Sequence, residues 1–584
     1  MVRRAGCGLA QRFTGNDTRA AAAHRAGKVH CAPAARRAPY APRVKSGNLR
    51  GTRPLRITPM TQDTDSTLSA AQRHFDAGRL DEAARLLQDI LAIAPGHGEA
   101  LEGLGYIAAR RGDHAAAAAH LAHAARQGNM SAGQLLSAAQ VCQAAGRHDE
   151  AAGLFRQCLA LAPHQAAALY GAAMSLASLG DRDAALELLD RLCRQNPQSP
   201  EAHYNRGALL GAMARHDEEI AAYQRAIALK PDFTAAYTNL GVALRDLHRF
   251  DEALRQFKKA LSLDPDDAGA RTNRAQTNLL LGQFEHGWRD YEWRWRDGHQ
   301  RHGFAEAARW TGTQPLQGKT LFVHHEQGYG DTLQFLRFAS RAAERGARVV
   351  VRVQDALLPL LRGWPGADEI IGEDAPVPAF DYHIPLLSLP YALGAREADL
   401  ALPVPHLAAD PALAAQWRAR LPDTRRPRIG IAWSGSRTHL NDAHRSIPLP
   451  ALQALFDLPA DFVSLQHDVR ERDAACRAAL TERGVLHDAP GRFASFADTA
   501  ALVDALDLVV SVDTAVAHLA ATLGRPTWIL LPHTPDWRWQ LGRDDSPWYP
   551  NVRLFRQAAR GDWRAALDAL RDALAGWLAR QPPR

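Results

Sequence analysis

The sequence predicts a two-part molecule: an all-α repeat array, then an α/β region built as two doubly wound, Rossmann-like lobes. Three observations carry this. Prolines recur at multiples of 34 residues through the first half, the pattern changes near residue 320 from helical periodicity to short β-rich runs, and a Pro/Ala-rich stretch at about 401–426 divides those runs into two sets. A chain of 584 residues with 46% hydrophobic and 23% charged content has room for about three or four domain-sized units, which excludes a disulfide-stapled miniprotein, a fibre and a disordered chain.

Taken in chain order, residues 1–60 come first as a basic leader. They hold 13 Lys/Arg against one acid, Asp17, and the remainder then has 57 bases against 62 acids, so the overall charge of +7 belongs to the leader and the folded part is mildly acidic. A nucleic-acid-binding surface places its basic excess on the fold, so none is expected here. The leader has no apolar h-region and no periodicity, which predicts disorder and dispensability for folding. Met60 offers an alternative start; the rival reading is an Arg-rich targeting or anion-binding arm. No window approaches ~18 uninterrupted apolar residues, so no membrane span is expected. The cysteines at 7, 31, 142, 158, 193 and 476 show no CxxC or metal-ligand spacing and read as small core residues in a reducing, cytoplasmic setting.

Residues 64–298 form the repeat array. Pro95, Pro163, Pro197, Pro231 and Pro265 keep the 34-residue register, with Asn129 at the gap in the series. Small residues keep it too (Gly105, Ala139, Ala173, Gly207, Gly241, Ala275), as do bulky ones (Leu87, Leu121, Phe155, Leu189, Tyr223, Phe257). A small residue on the first helix of each unit admits the second helix, the bulky residue fills the space, and the proline stops the unit. The pattern resembles the tetratricopeptide repeat: six units over 64–267 and a degenerate seventh running into the aromatic segment 288–295, expected to cap the array. Asn205, Asn239 and Asn273 share one register position on the first helix. The resemblance puts that position on the concave face, where a ladder of amides suits an extended peptide backbone, as in the O-GlcNAc transferases; the alternative is that Asn is simply common there.

The α/β half is predicted from β-rich runs at 320–324, 347–353 and 380–384, which build a first lobe over 310–405. Runs at 428–433, 461–465, 506–512 and 526–531 build a second lobe over 426–584. An amphipathic final helix over 563–579 is expected to pack across the lobes. In such folds ligands bind at the carboxyl ends of the strands.

Three segments occupy those ends. The turn Glu326-Gln327-Gly328-Tyr329-Gly330-Asp331 follows the first strand; its glycines permit close approach to a ligand, and Asp331 is placed as the N-cap of a helix over 333–344. The turn Ser511-Val512-Asp513-Thr514-Ala515 leads into a helix carrying His518. Its helix-start amides suit a diphosphate, and Asp513 and Thr514 suit sugar hydroxyls. The Gly/Ser-rich loop from Trp433 through Ser434 and Gly435 to Arg445 suits an anion; an exposed polar loop would show the same residues.

In this order the three segments, over roughly 318–560, resemble glycosyltransferase family nine, the heptosyltransferases, which have a GT-B fold. The resemblance implies Asp331 as general base, Arg445 where the family has a lysine near the donor diphosphate, and Asp513, Thr514 and His518 as the donor motif. Ala515 and Arg445 depart from the family's Gly and Lys. The whole chain resembles bacterial tetratricopeptide-containing glycosyltransferase-like proteins, and its architecture is similar to O-GlcNAc transferase.

The expected function is therefore an inverting, metal-independent transfer from a nucleotide-sugar to a protein or glycan acceptor recruited by the repeats. No cofactor is expected, and no catalytic metal, because no Asp-x-Asp pair stands at a strand end. Two rivals are a non-catalytic scaffold whose GT-B domain has decayed, and another GT-B enzyme such as an epimerase.

Overall fold

The computed structural model describes residues 62–581 apart from 129, 297–302, 402–404, 423, 440 and 489–494. The leader expected at 1–60 and the register break at Asn129 lie outside the described residues. The chain divides into two compact units, one ending at Asp264 and the other beginning at Pro265.

The first unit is six helical hairpins, from Gln62–Asp76 with Leu80–Ile93 to Thr234–Asp246 with Phe250–Leu263. The small-against-bulky register works as steric complementarity. A Cβ added at Gly241 would lie 2.5 Å from the Phe257 ring, and at Gly207 it would lie 2.8 Å from the Tyr223 ring. Phe155, Leu189, Tyr223 and Phe257 are all 0% exposed. The turn inside each hairpin is left-handed, with φ of 75° at Gly78, 79° at Gly112, 74° at Gly146 and 93° at Gly180. Two units do without glycine there: Ala214 has φ 59° and His248 has φ 58°.

The seventh hairpin, Ala268–Leu280 with Phe284–Tyr291, belongs to the second unit. The unit boundary therefore falls well before the repeat limit of 298 read from the sequence. The reason is aromatic packing within the second unit: Trp288 meets Trp537 edge to face at 5.4 Å and Phe335 at 6.3 Å, and its indole N–H donates to Ala395 O at 3.2 Å.

The strands of the second unit are β1 (Thr320–His324), β2 (Arg348–Arg352), β3 (Glu369–Ile371), β4 (Tyr382–Pro385), β5 (Arg428–Ala432), β6 (Asp461–Ser464), β7 (Leu486–Asp488), β8 (Leu508–Val512), β9 (Thr527–Leu531) and β10 (Val552–Arg556). All their pairings are parallel. The first sheet runs β3-β2-β1-β4 and the second β10-β9-β8-β5-β6-β7. Counted from β5, the second order is the doubly wound 3-2-1-4-5-6, and its reversal lies between β5 and β8, where such folds bind nucleotides. Short β3 and β7, and the Arg-interrupted β10, were not expected from the sequence.

Two expectations need correction. The final helix, Arg564–Leu578, does not bridge the lobes: Ala566, Leu570 and Leu574 are buried with Ile429, Val510, Leu530 and Phe555 in the core of the second sheet. The stretch 401–426 is more than a separator. It contains the helix Pro411–Arg420, capped by Asp410, and Trp417 on that helix is 2% exposed. None of the described helices is long and apolar enough to cross a membrane.

Candidate functional site

At the reversal point of the second sheet, β8 ends and Asp513 and Thr514 turn the chain into the helix Ala515–Thr522. Thr514 is its N-cap in extended conformation, with Oγ1 3.0 Å from Ser511 Oγ. The amides of Ala517 and His518 turn back to Thr514 O, so those of Ala515 and Val516 begin the helix with no acceptor inside it. The loop after β5 meets this turn through Arg445, whose guanidinium donates to Asp513 O at 2.8 Å. The same guanidinium lies over Gly435, where a Cβ would stand 2.5 Å from it. Gln466 holds the loop backbone: its Oε1 accepts from the Ser434 amide at 3.0 Å and its Nε2 donates to Ser434 O at 3.0 Å. Ser434 is 4% exposed, and its Oγ has no hydrogen-bond partner.

His518, 5% exposed, faces Tyr549 OH through Nδ1 at 3.0 Å and stacks on Trp539 at 5.2 Å. Burial lowers its pKa to about 3, with Arg538 adding to the effect, so the imidazole is neutral at pH 7. Burial pushes Asp513 the other way, up to about 6; Asp536 adds to the rise and Arg445 opposes it.

In the first lobe, β1 leads into the helix Tyr329–Phe335. Gly328 is the N-cap and Asp331 lies at the third helical position, not at the cap as the sequence suggested. Its carboxylate instead accepts the Gly328 amide at 2.8 Å. Asp331 is also ion-paired with Arg538 from the opposite lobe. Burial holds the Asp331 carboxyl above the usual carboxylate range, against the pull of Arg538. Gly330 touches the His518 ring, so the two turns face each other directly.

Glu326 does not join this group. It is 5% exposed and bound bidentately by Arg294, at 2.8 and 2.7 Å, while its Oε1 also accepts the Leu387 amide at 2.9 Å. It anchors the segment after the seventh hairpin to the first lobe. Gln327, with φ 61°, donates from Nε2 to Tyr291 OH at 3.1 Å and is likewise part of the frame.

The asparagine register is present but is not a row of open amides. Asn205, Asn239 and Asn273 are 2%, 0% and 0% exposed. Asn239 donates to Tyr204 OH at 3.1 Å, and Asn273 donates to Gly269 O of its own helix at 2.8 Å. Arg538, Asp536, Trp539 and Tyr549 were not singled out from the sequence. The available signal was an arginine flanked by tryptophans, Trp537-Arg538-Trp539, in a loop at the carboxyl end of β9.

Tetratricopeptide repeat profiles match residues 68–131, 143–209, 200–233 and 234–267, and the profile of glycosyltransferase family 9 (heptosyltransferase) matches 491–562. The latter match contains Asp513, Thr514, Ala515, His518 and Arg538; Asp331 and Arg445 lie outside it. The chain is 29% identical over 338 residues to Protein FlbA of Caulobacter vibrioides, an alignment covering 52% of this chain and 55% of that protein. The chain thus spans about half the length of this relative. The crystal structure of MamA is 22% identical, with TM-score 0.25, covering 27% of this chain and 92% of that one. A tetratricopeptide repeat protein from Parabacteroides merdae is 17% identical, with TM-score 0.33, covering 42% and 96%. The profiles thus place tetratricopeptide repeats in the N-terminal half and a family 9 segment near the C-terminus.

Proposed function

We propose that the α/β unit binds a nucleotide-sugar at the Asp513–His518 turn and transfers the sugar, with inversion and without a metal, to a protein or glycan acceptor recruited by the repeat array, in the cytoplasm. The observation that carries the reading is the convergence of Arg445, the Asp513–Thr514 turn and the Ala515 helix start at the strand-order reversal of a doubly wound sheet. Helix-start amides and a guanidinium together favour a diphosphate. Asp513 and Thr514 offer acceptors and a hydroxyl to a ribose or sugar, and neutral His518 can donate or accept one hydrogen bond. Ser434 and Gly435 line the same mouth, and Gln327, Gly328 and Gly330 shape the facing turn.

In the transfer, Asp331 takes the proton of the acceptor hydroxyl while that oxygen bonds the anomeric carbon. The bond from that carbon to the diphosphate oxygen breaks on the opposite face, and the nucleoside diphosphate leaves with the electron pair against Arg445. The raised pKa of Asp331 suits a base. A second reading, a non-catalytic scaffold, is favoured by one observation: Asp331 is already paired with Arg538. Incubating the full chain with radiolabelled UDP-, GDP-, ADP- and CMP-sugars and a lysate separates the two. Transfer of label that Asp331→Asn lowers by ~10²–10⁴ supports the enzyme. Binding of a donor with no transfer or hydrolysis supports the scaffold.

A further inference from the structure

The cation nearest the base is not the one the sequence pointed to. Arg538 sits on the loop after β9 and is 3% exposed. Its guanidinium pairs across the lobes with Asp331 and, at 2.8 Å, with Asp536 of its own loop. The faces of Trp537 at 4.2 Å and Phe335 at 5.5 Å bracket it. The next residue, Trp539, stacks on His518, so the loop that carries Arg538 is fastened to the helix that begins the candidate donor turn. Arg538 and Arg445 therefore both stand beside that turn, Arg445 bound to Asp513 O and Arg538 neutralised by two carboxylates.

We propose that Arg538 is an exchangeable counter-ion: the diphosphate of a nucleotide ligand replaces Asp331 as its partner, and donor binding is thereby the event that frees Asp331. The inference rests on the donor reading of the Asp513–His518 turn. The exchange is physically economical. Breaking a buried ion pair leaves both charges short of compensation, so Arg538, which keeps Asp536, gives up Asp331 only when another anion takes its place. A diphosphate presents more charge and more acceptor oxygens than one carboxylate, in a geometry that a guanidinium fork matches. Asp331 keeps its bond from the Gly328 amide throughout, so it is released without losing its position. The donor must then bind before the acceptor can be deprotonated.

The exchange predicts a change in nucleotide affinity where a simple base predicts none. Isothermal titration of the full chain with UDP, GDP and ADP identifies the nucleotide that wild type binds. On that nucleotide, Asp331→Asn is expected to bind about tenfold more tightly, because Arg538 loses a competitor, and Arg538→Gln at least about tenfold more weakly. The double variant Asp331→Asn/Arg538→Gln should bind no more tightly than Arg538→Gln alone. If Arg538→Gln fails to fold, Arg538→Lys keeps the charge without the fork and should bind several-fold more weakly. Wild-type affinity in both Asp331→Asn and the Arg538 variant overturns the exchange and leaves the donor site standing. Wild type that binds none of the three overturns the donor reading and the exchange together.

Discussion

Gly330 and His518 are in direct contact across the two lobes: a Cβ on Gly330 would lie 2.8 Å from His518 Cδ2 and 3.5 Å from Ala515 Cα. The imidazole has little room to yield, being held between Tyr549 OH and the Trp539 face. Gly330→Ala is therefore expected to cost about 1–3 kcal/mol in the α/β unit, the range for an overpacked contact. All 13 tryptophans follow residue 264, so the urea midpoint read by tryptophan fluorescence reports on this unit. A midpoint equal to wild type would show that the lobes separate easily.

A second expectation concerns acid. The folded pKa of His518, about 3, lies below its unfolded value, so the unfolded chain takes up a proton that the fold refuses. His518 therefore lowers stability as pH falls from about 6.5 towards 3, its own share being about 2 kcal/mol between pH 7 and pH 5. Asp513, raised to about 6, has the opposite sign: its contribution is present at low pH and is lost as pH rises through about 6. His518→Gln should remove the acid loss, and Asp513→Asn should deepen it. Urea midpoints at pH 5 and 7 decide both, and parallel shifts in wild type and His518→Gln would count against the assignment.

The Arg294–Glu326 pair is buried on both sides, with side chains 4% and 3% exposed. Arg294→Met strands Glu326 and should cost about 3–5 kcal/mol, whereas Arg294→Met/Glu326→Leu should recover most of that loss. Equal destabilisation of the single and double variants would mean that the bonds to Leu387 N and Ser388 Oγ matter more than the charges.

In the first unit, Ala214 adopts a left-handed conformation where four other hairpins of that unit use glycine. Ala214→Gly is expected to stabilise the array by about 0.5–1 kcal/mol, relief of strain outweighing the extra freedom of the unfolded chain. Far-ultraviolet circular dichroism during urea unfolding measures it.

How much could be read in advance follows from the range of the interactions. The repeats were legible because the small-against-bulky contacts of the register, Gly241 on Phe257 for one, lie within a single 34-residue unit. The central strands announced themselves by β-branched runs such as 348–352 and 508–512, whereas β3 and β7 are three-residue edge strands with too little pattern to detect. The turns after β1, β5 and β8 were found because chemistry in doubly wound folds gathers at strand ends. What escaped was pairing over distance. Nothing near Glu326 announces Arg294, and nothing near Asp331 announces Arg538, 207 positions away. The asparagines kept their register, but local spacing cannot say which tyrosines will claim an amide, as Tyr204 claims Asn239.

The placement of the seventh hairpin with the α/β unit also sets a timetable for synthesis. The six earlier hairpins, each closed by neighbours already made, can be complete while the ribosome is still translating the second half. Trp288 emerges straight after them with Phe284 stacked on it, and Phe335 follows within about 50 residues, yet Trp537, which also packs on its ring, comes about 250 residues later. During that interval the nascent chain displays an indole and the apolar face of an unfinished hairpin, a natural handle for a chaperone. Truncations that end between Trp288 and Trp537 should accumulate as chaperone-bound or aggregated chains, while one that stops at Asp264 should not.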